Sequence, residues 1–259
     1  MEVGGQAAGT GEGAVTLKDA RVGFGASQVL NGVSARIARD KVTALIGPTG
    51  CGKTTLLRTI NRLHDHRPGF RLDGSIPLEG RSIYGRGIDV RDLRRRMGML
   101  FQRPNPFPQS IQENVSLGAR IRGLWQRSEV RAKTEGLLRD VGLWDAVHDR
   151  LGISPFMLSG GQQQLLCMAL AVEPEVLLLD EPTSSLDPYG TGRIEELIAG
   201  FRGRKTVVFV THNLQQAARC ADDVLFMMAG EAIEQAPVRD FFDSPADARS
   251  RAYLEGRTA

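Results

Sequence analysis

Gly47-Pro48-Thr49-Gly50-Cys51-Gly52-Lys53-Thr54-Thr55 follows the apolar run Val42-Thr43-Ala44-Leu45-Ile46 and opens a helical pattern from Thr54 to Leu63. This is G-x-x-x-x-G-K-T between a strand and a helix, the setting that the motif needs. Its glycines admit backbone conformations closed to residues with a Cβ, so successive N–H groups can converge on phosphate oxygens. The helix start adds free N–H groups and partial positive charge. Lys53 offers a point charge to β- and γ-phosphates, and the Thr54 hydroxyl stands where it can ligate Mg²⁺. The bland alternative is an ordinary glycine-rich turn between strand and helix. The stretch implies an α/β fold and a nucleotide phosphate, but not what the energy is used for.

Working outward, the 259 residues suffice for one large α/β domain or two modest ones. Apolar content of 41% and charged content of 24% are those of a soluble globular chain. A net charge of +3 is too small to argue for nucleic acid. Cys51, Cys167 and Cys220 lack metal-type spacing, and their odd count offers no disulfide framework, so a reducing, cytosolic compartment is expected. No apolar run has the length of a membrane span, and no basic region followed by an apolar core marks a signal peptide. Any service to a membrane is expected to be that of a peripheral subunit at its cytoplasmic face.

Residues 1–13 are rich in Gly and Ala and predict a disordered tail; 14–259 then read as the folded unit. A first strand is expected with Thr16, Lys18, Ala20, Val22 and Phe24 on one side and Val15 and Leu17 on the other. A second has Val33, Ala35 and Ile37 alternating against Ser34 and Arg36. Short β pieces are expected at Ser75 to Leu78 and Ser82 to Tyr84. Arg91 to Arg96 reads as a solvated helix face, and His64, His66 and His148 as surface residues. Met97 to Gln102 predicts a buried strand running into Arg103-Pro104-Asn105-Pro106-Phe107-Pro108, whose prolines forbid regular structure. Ile111 to Asp149 predicts helices, one of them capped by Ser128, within a helical subdomain of about residues 103–172. The second half returns to strands at Val176 to Asp180, Thr206 to Thr211 and a hairpin of Val224 to Met228 with Ala232 to Gln235. Asp187-Pro188 marks a helix start.

Further motifs stand beside the phosphate loop. Leu158-Ser159-Gly160-Gly161-Gln162 precedes a helix, a second anion-binding N-terminus. Leu177-Leu178-Leu179-Asp180-Glu181-Pro182 sets two carboxylates at the carboxyl end of a buried strand, where ligands of α/β sheets collect. Asp180 can hold Mg²⁺ through water and Glu181 can polarise an attacking water. Thr211-His212 ends the next strand. Each has a bland reading alone (a capped helix, a strand end, a surface histidine), but their joint occurrence in this order does not.

On these residues the chain resembles the ATP-binding-cassette (ABC) ATPases over nearly all of residues 15 to 257. The resemblance implies a P-loop fold with a mostly parallel core sheet, an antiparallel β subdomain and a helical signature subdomain. It also implies roles: Gly47, Pro48, Thr49, Gly50, Cys51, Gly52, Lys53, Thr54 and Thr55 as the phosphate loop, and Gln102 as the glutamine that touches Mg²⁺ and senses the γ-phosphate. Ser159, Gly160, Gly161 and Gln162 match the signature, and Asp180 and Glu181 the metal-binding and general-base acids. Ser185-Leu186-Asp187 matches the D-loop and His212 the switch histidine. The implied catalytic set is Glu181, His212 and Lys53, and the implied metal set is Thr54, Gln102 and Asp180. Phe24 falls where the family places an aromatic residue against adenine; its spacing also fits an inward strand position. In the family the signature of one subunit closes over ATP held by another. A homodimer with two sandwiched ATPs is therefore implied, driving two integral-membrane permease subunits.

Within the family, Phe101-Gln102-Arg103-Pro104-Asn105-Pro106-Phe107-Pro108 is similar to the extended Q-loop of the ATPases of bacterial phosphate importers, the Pst type. Thr211-His212-Asn213-Leu214-Gln215-Gln216-Ala217-Ala218-Arg219, Gln162-Gln163-Gln164, and Phe242-Asp243-Ser244-Pro245 agree. The implied function is ATP-driven import of inorganic phosphate, with an extracytoplasmic phosphate-binding protein as further partner and no nucleic acid. The chain departs from the family after the signature, at Leu165-Leu166-Cys167-Met168-Ala169-Leu170-Ala171-Val172-Glu173-Pro174. An expected arginine is absent there, and the stretch is two residues shorter than the family's. Two helical residues are about 3 Å of rise and roughly 200° of rotation. Either the end near Glu173-Pro174 unwinds or the signature is displaced; a surviving fold with reduced activity is expected.

Other classes fit less well. A cassette for another solute, such as a polar amino acid, would lose the Pro-Asn-Pro-Phe segment. A non-transport cassette acting on DNA or ribosomes would carry coiled-coil insertions or a second cassette, and neither is visible. A small-molecule phosphotransferase has no reason to carry a signature.

Overall fold

The computed structural model describes residues 14–171 and 174–257. The expected N-terminal tail lies outside them. In chain order come β1 (Val15–Phe24), β2 (Ser27–Ile37), β3 (Val42–Ile46), α1 (Lys53–Ile60), β4 (Phe70–Ser75), β5 (Pro77–Leu78), β6 (Arg81–Ser82), α2 (Val90–Arg96) and β7 (Met97–Leu100). A helical stretch follows: α3 (Ile111–Ile121), α4 (Val130–Asp140), α5 (Trp144–Val147) and α6 (Gly160–Ala171). The rest is β8 (Val176–Asp180), α7 (Pro188–Ala199), β9 (Thr206–Val210), α8 (Leu214–Cys220), β10 (Asp223–Met228), β11 (Glu231–Pro237), α9 (Val238–Asp243) and α10 (Ala248–Leu254).

Six strands form the central sheet in the order β11-β10-β3-β9-β8-β7, parallel except for the β10–β11 hairpin. β3, β8 and β9 are buried at every residue, the apolar run that a parallel strand covered on both faces requires. Because strand side chains alternate, one sheet serves two cores. Ala44, Ile46, Leu177, Leu179, Val207 and Phe209 pack with the helices of the middle and C-terminal segments. Leu45, Leu178, Val208 and Leu225 pack with α1 and the smaller antiparallel sheet of β1, β2, β4, β5 and β6. This is the expected α/β architecture, with its antiparallel part and its helices between β7 and β8.

Four expectations need correction. The two-sided pattern assigned to β1 fails, since Val15, Leu17, Ala20 and Val22 all lie in one core. A bulge between Leu17 and Ala20 shifts the register, with Asp19 at φ 49°, and so swaps the face of everything after it. The helix expected over 54–63 closes at Ile60, because Arg62 turns the chain at φ 54°. Ser128 does not cap α4. Glu129 occupies the position before the helix, and its carboxylate accepts the Gln126 N–H instead. His64 is buried at 4% exposure rather than on the surface, packed edge-on to Phe24. His66 and His148 are exposed as expected. The face of α2 is largely solvated as expected, with Arg91 and Arg95 exposed, but two of its arginines also tie it to the protein: Arg94 donates to the carbonyls of Asn61 and Arg62, and Arg96 pairs with Glu79 and Glu175.

Candidate nucleotide site

Neighbouring strands of the central sheet end around one cavity of about 550 Å³. β3 delivers the loop residues Thr49, Gly50, Gly52, Lys53, Thr54 and Thr55; β7 delivers Gln102, β8 Glu181 and β9 His212. This is the carboxyl edge of a parallel sheet, where side chains from separate loops can converge on one ligand.

The loop is shaped by close backbone approach. A Cβ on Gly47 (φ 146°) would lie 2.0 Å from the Met227 carbonyl oxygen, and one on Gly52 (φ 105°) would lie 2.7 Å from Leu30. Lys53, 7% exposed, folds back so that its Nζ donates to the carbonyls of Gly47 at 2.7 Å and Pro48 at 2.8 Å. Its charge is thus held in the concavity of the loop. Burial pushes the Cys51 thiol up, against the pull of neighbouring Lys53, so it stays protonated.

Asp180 is 1% exposed, and its carboxylate is matched on both oxygens. The Thr54 hydroxyl donates to Oδ1 at 2.8 Å and Arg58 Nη2 donates to Oδ2 at 3.3 Å. Arg58 was not picked out from the sequence, although it lies four residues after Thr54 and hence on the same helix face. Glu181 has φ 46°, the left-handed region in which a side chain is disfavoured. Its Oε2 accepts from Gln102 Nε2 at 3.0 Å and lies 3.6 Å from His212 Nδ1. Glu181, Gln102 and His212 thus touch across three different strand ends.

Ser159 and Gly160 are exposed and, with Gly161 and Gln162, stand apart from that cavity's lining. The Ser159 hydroxyl accepts the Gln162 N–H, and the Gln162 side-chain carbonyl accepts the Ser159 N–H, a reciprocal cap that fixes the start of α6. Phe24 likewise does not line the cavity. It ends β1 in a ring cluster with His64 and Phe70, and the Arg67 guanidinium covers its face at 4.3 Å. The structure therefore leaves both readings of Phe24 standing.

Asn114 escaped the sequence reading, and Gln164 entered it only as part of the run Gln162-Gln163-Gln164. Asn114, fully buried, accepts the Phe107 N–H and donates to the carbonyls of Phe107, Gln109 and Ser110. It holds the proline-rich segment in place and leaves the Phe107 ring 48% exposed. The signal for both was a side-chain amide at an inward helical position.

A family model described as ABC transporter matches residues 30–184. The phosphate import ATP-binding protein PstB of Idiomarina loihiensis is 50% identical over 246 residues, covering 94% of this chain and 90% of the relative. The phosphate import ATP-binding protein PstB 2 of Mycobacterium tuberculosis is 53% identical over 237 residues, covering 91% and 86%. A PstB of Shewanella denitrificans is 49% identical over 246 residues, covering 94% and 90%.

Proposed function

The chain belongs to the ABC transporter ATPase family, and on that premise we propose that it is the ATP-hydrolysing subunit of an importer of inorganic phosphate. The observation that carries the catalytic half is the convergence of Lys53, Thr54, Gln102, Glu181 and His212 on one cavity from adjacent strand ends. The cargo rests on relatives that are named as phosphate-import proteins and match almost end to end.

ATP lies with its phosphates on the loop Gly47 to Thr55. Lys53 exchanges the carbonyls of Gly47 and Pro48 for phosphate oxygens, so its charge is already at the place of use. Thr54, Gln102 and Asp180 offer only oxygen ligands, the donor set of a hard divalent ion, and would hold Mg²⁺, which neutralises phosphate charge when bound. Glu181 takes a proton from the water that attacks the γ-phosphate, and His212 orients that centre. Phe24 offers a π face to adenine. Ser159 and Gly160, which are exposed, and Gly161 and Gln162, which are half-buried, all lie outside the cavity and serve the ATP of a second copy of the chain.

Residues of about 103–172 act as a helical subdomain that, with the segment Gln102 to Phe107, meets two permease subunits. An extracytoplasmic phosphate-binding protein delivers the cargo. Among the described residues no helix is long and apolar enough to cross a membrane, which suits a peripheral subunit on the cytoplasmic face. Phosphate uptake in cells lacking their own importer ATPase tests the whole reading. Wild-type chain should restore uptake and Lys53→Ala should not; restoration by both, or restored uptake of an amino acid instead, overturns it.

A further inference from the structure

Gln164 is 2% exposed on α6, and its side-chain Nε2 donates to the Phe101 carbonyl at 3.1 Å and the Pro182 carbonyl at 3.3 Å. Both partners are carbonyl oxygens, so the amide nitrogen must face them. Its Oε1 is buried and has no hydrogen-bond partner among the described residues. Phe101 is the residue before Gln102, and Pro182 is the residue after Glu181. Gln102 Nε2 in turn donates to Glu181 Oε2 at 3.0 Å. One amide thus closes a ring that runs from α6 to the end of β7, across the Gln102–Glu181 contact, and back through the end of β8. The same helix begins at the capped Ser159.

Burying an amide whose carbonyl goes unpaired is unfavourable, and Met would fill a similar volume without that cost. What Gln brings and Met does not is the pair of bonds to the two catalytic segments. We propose that Gln164 is a positioning residue for hydrolysis: it sets the spacing of Gln102 and Glu181 and makes that spacing follow any movement of the helix that carries Ser159. The inference rests on the ATPase reading given above. Gln164 touches neither the phosphate loop nor its lysine, so it acts on the chemical step and leaves nucleotide binding alone.

The test measures kcat, ATP affinity and melting temperature for wild type, Gln164→Met, Gln102→Ala and the double variant. Gln164→Met should lower kcat about tenfold while the Kd for ATP stays within about twofold, as expected when an interaction used only in the transition state is lost. In the Gln102→Ala background the same change should cost less than about twofold, because both residues act through one contact. If Gln164→Met does not fold, Gln164→Asn carries the same comparison, since it is one methylene too short to reach both carbonyls. An unchanged kcat, a parallel loss of ATP affinity, or full additivity with Gln102→Ala overturns the inference alone. A wild-type chain that does not hydrolyse ATP overturns the reading on which it rests.

Discussion

Glu181 is a carboxylate held in a backbone conformation that favours glycine, at φ 46°. Such a residue costs on the order of 1 kcal/mol, kept only where the surroundings or the chemistry demand it. Glu181→Gly should therefore raise the melting temperature by roughly 2–4 °C while abolishing hydrolysis. Calorimetry beside an ATPase assay reads both, and a lower melting point would show that the conformation is unstrained. His64 yields a pH prediction. Burial, the largest cause, lowers its pKa, against a hydrogen bond to the Thr55 backbone. Below about pH 6.5 the unfolded chain takes up a proton that the folded chain refuses, so stability falls on acidification and is untouched above neutrality. Urea midpoints at pH 7.5 and 5.5 should converge less for wild type than for His64→Asn; equal losses in both would remove His64 from the account. The position of Glu181 at the edge of the cavity was legible from its place after an apolar strand. The burial of His64 was not, because the sequence shows a histidine among charged and polar neighbours and not the Phe24 and Phe70 rings that fold over it.

At the scale of elements, β1 is straight only on paper. Its bulge sets Asp19 against Gly74 of β4, where φ is 86° and a Cβ would lie 2.2 Å from the Asp19 carbonyl oxygen. Gly74→Ala should destabilise the fold by about 2 kcal/mol or more, seen as an early urea midpoint; a neutral result would mean that the bulge can slide. Alternation in sequence reads a face correctly only while the register holds, so Ala20 and Val22 were assigned against Leu17 although all three share a core. β8 and β9, by contrast, were read almost to the residue, because a strand buried on both faces needs no register to be recognised. Helix α6 is the other test of an element. It is unbroken from Gly160 to Ala171, with Gln164 anchoring its first half and Leu166 and Met168 fully buried. The unwinding expected near Glu173 lies at residues outside those described. If shortening impairs the helix, inserting Ala-Arg after Met168 should raise the ATPase rate; equal rates would mean that the shorter helix works as well.

At the scale of the whole molecule, the phosphate loop and the signature do not meet. The cavity beside Lys53 is lined without Ser159 or Gly160, which are exposed at the start of α6, where Gly161 faces Leu186. On the proposed reading, this polar, reciprocally capped helix start and the cavity beside Lys53 are two half-sites that a second copy would complete. That pairing was implied by the family resemblance alone; the fold adds that Ser159 and Gly160 are exposed and lie outside the cavity beside Lys53. Closure is expected to need ATP, and hydrolysis to undo it. If Glu181 is the proton acceptor as proposed, Glu181→Gln removes it while keeping the side chain's size, so the closed form should accumulate. Sedimentation of this variant should give the 28.2 kDa chain without nucleotide and twice that mass with saturating ATP and Mg²⁺. Adding Ser159→Arg, which places bulk and charge on the exposed signature, should restore the single-chain mass without changing the Kd for ATP by more than about twofold, because that residue does not reach the chain's own cavity. If Glu181→Gln stays at the mass of one chain under saturating ATP, the two half-sites do not pair. If the added Ser159→Arg leaves the doubled mass intact, the copies meet through another face.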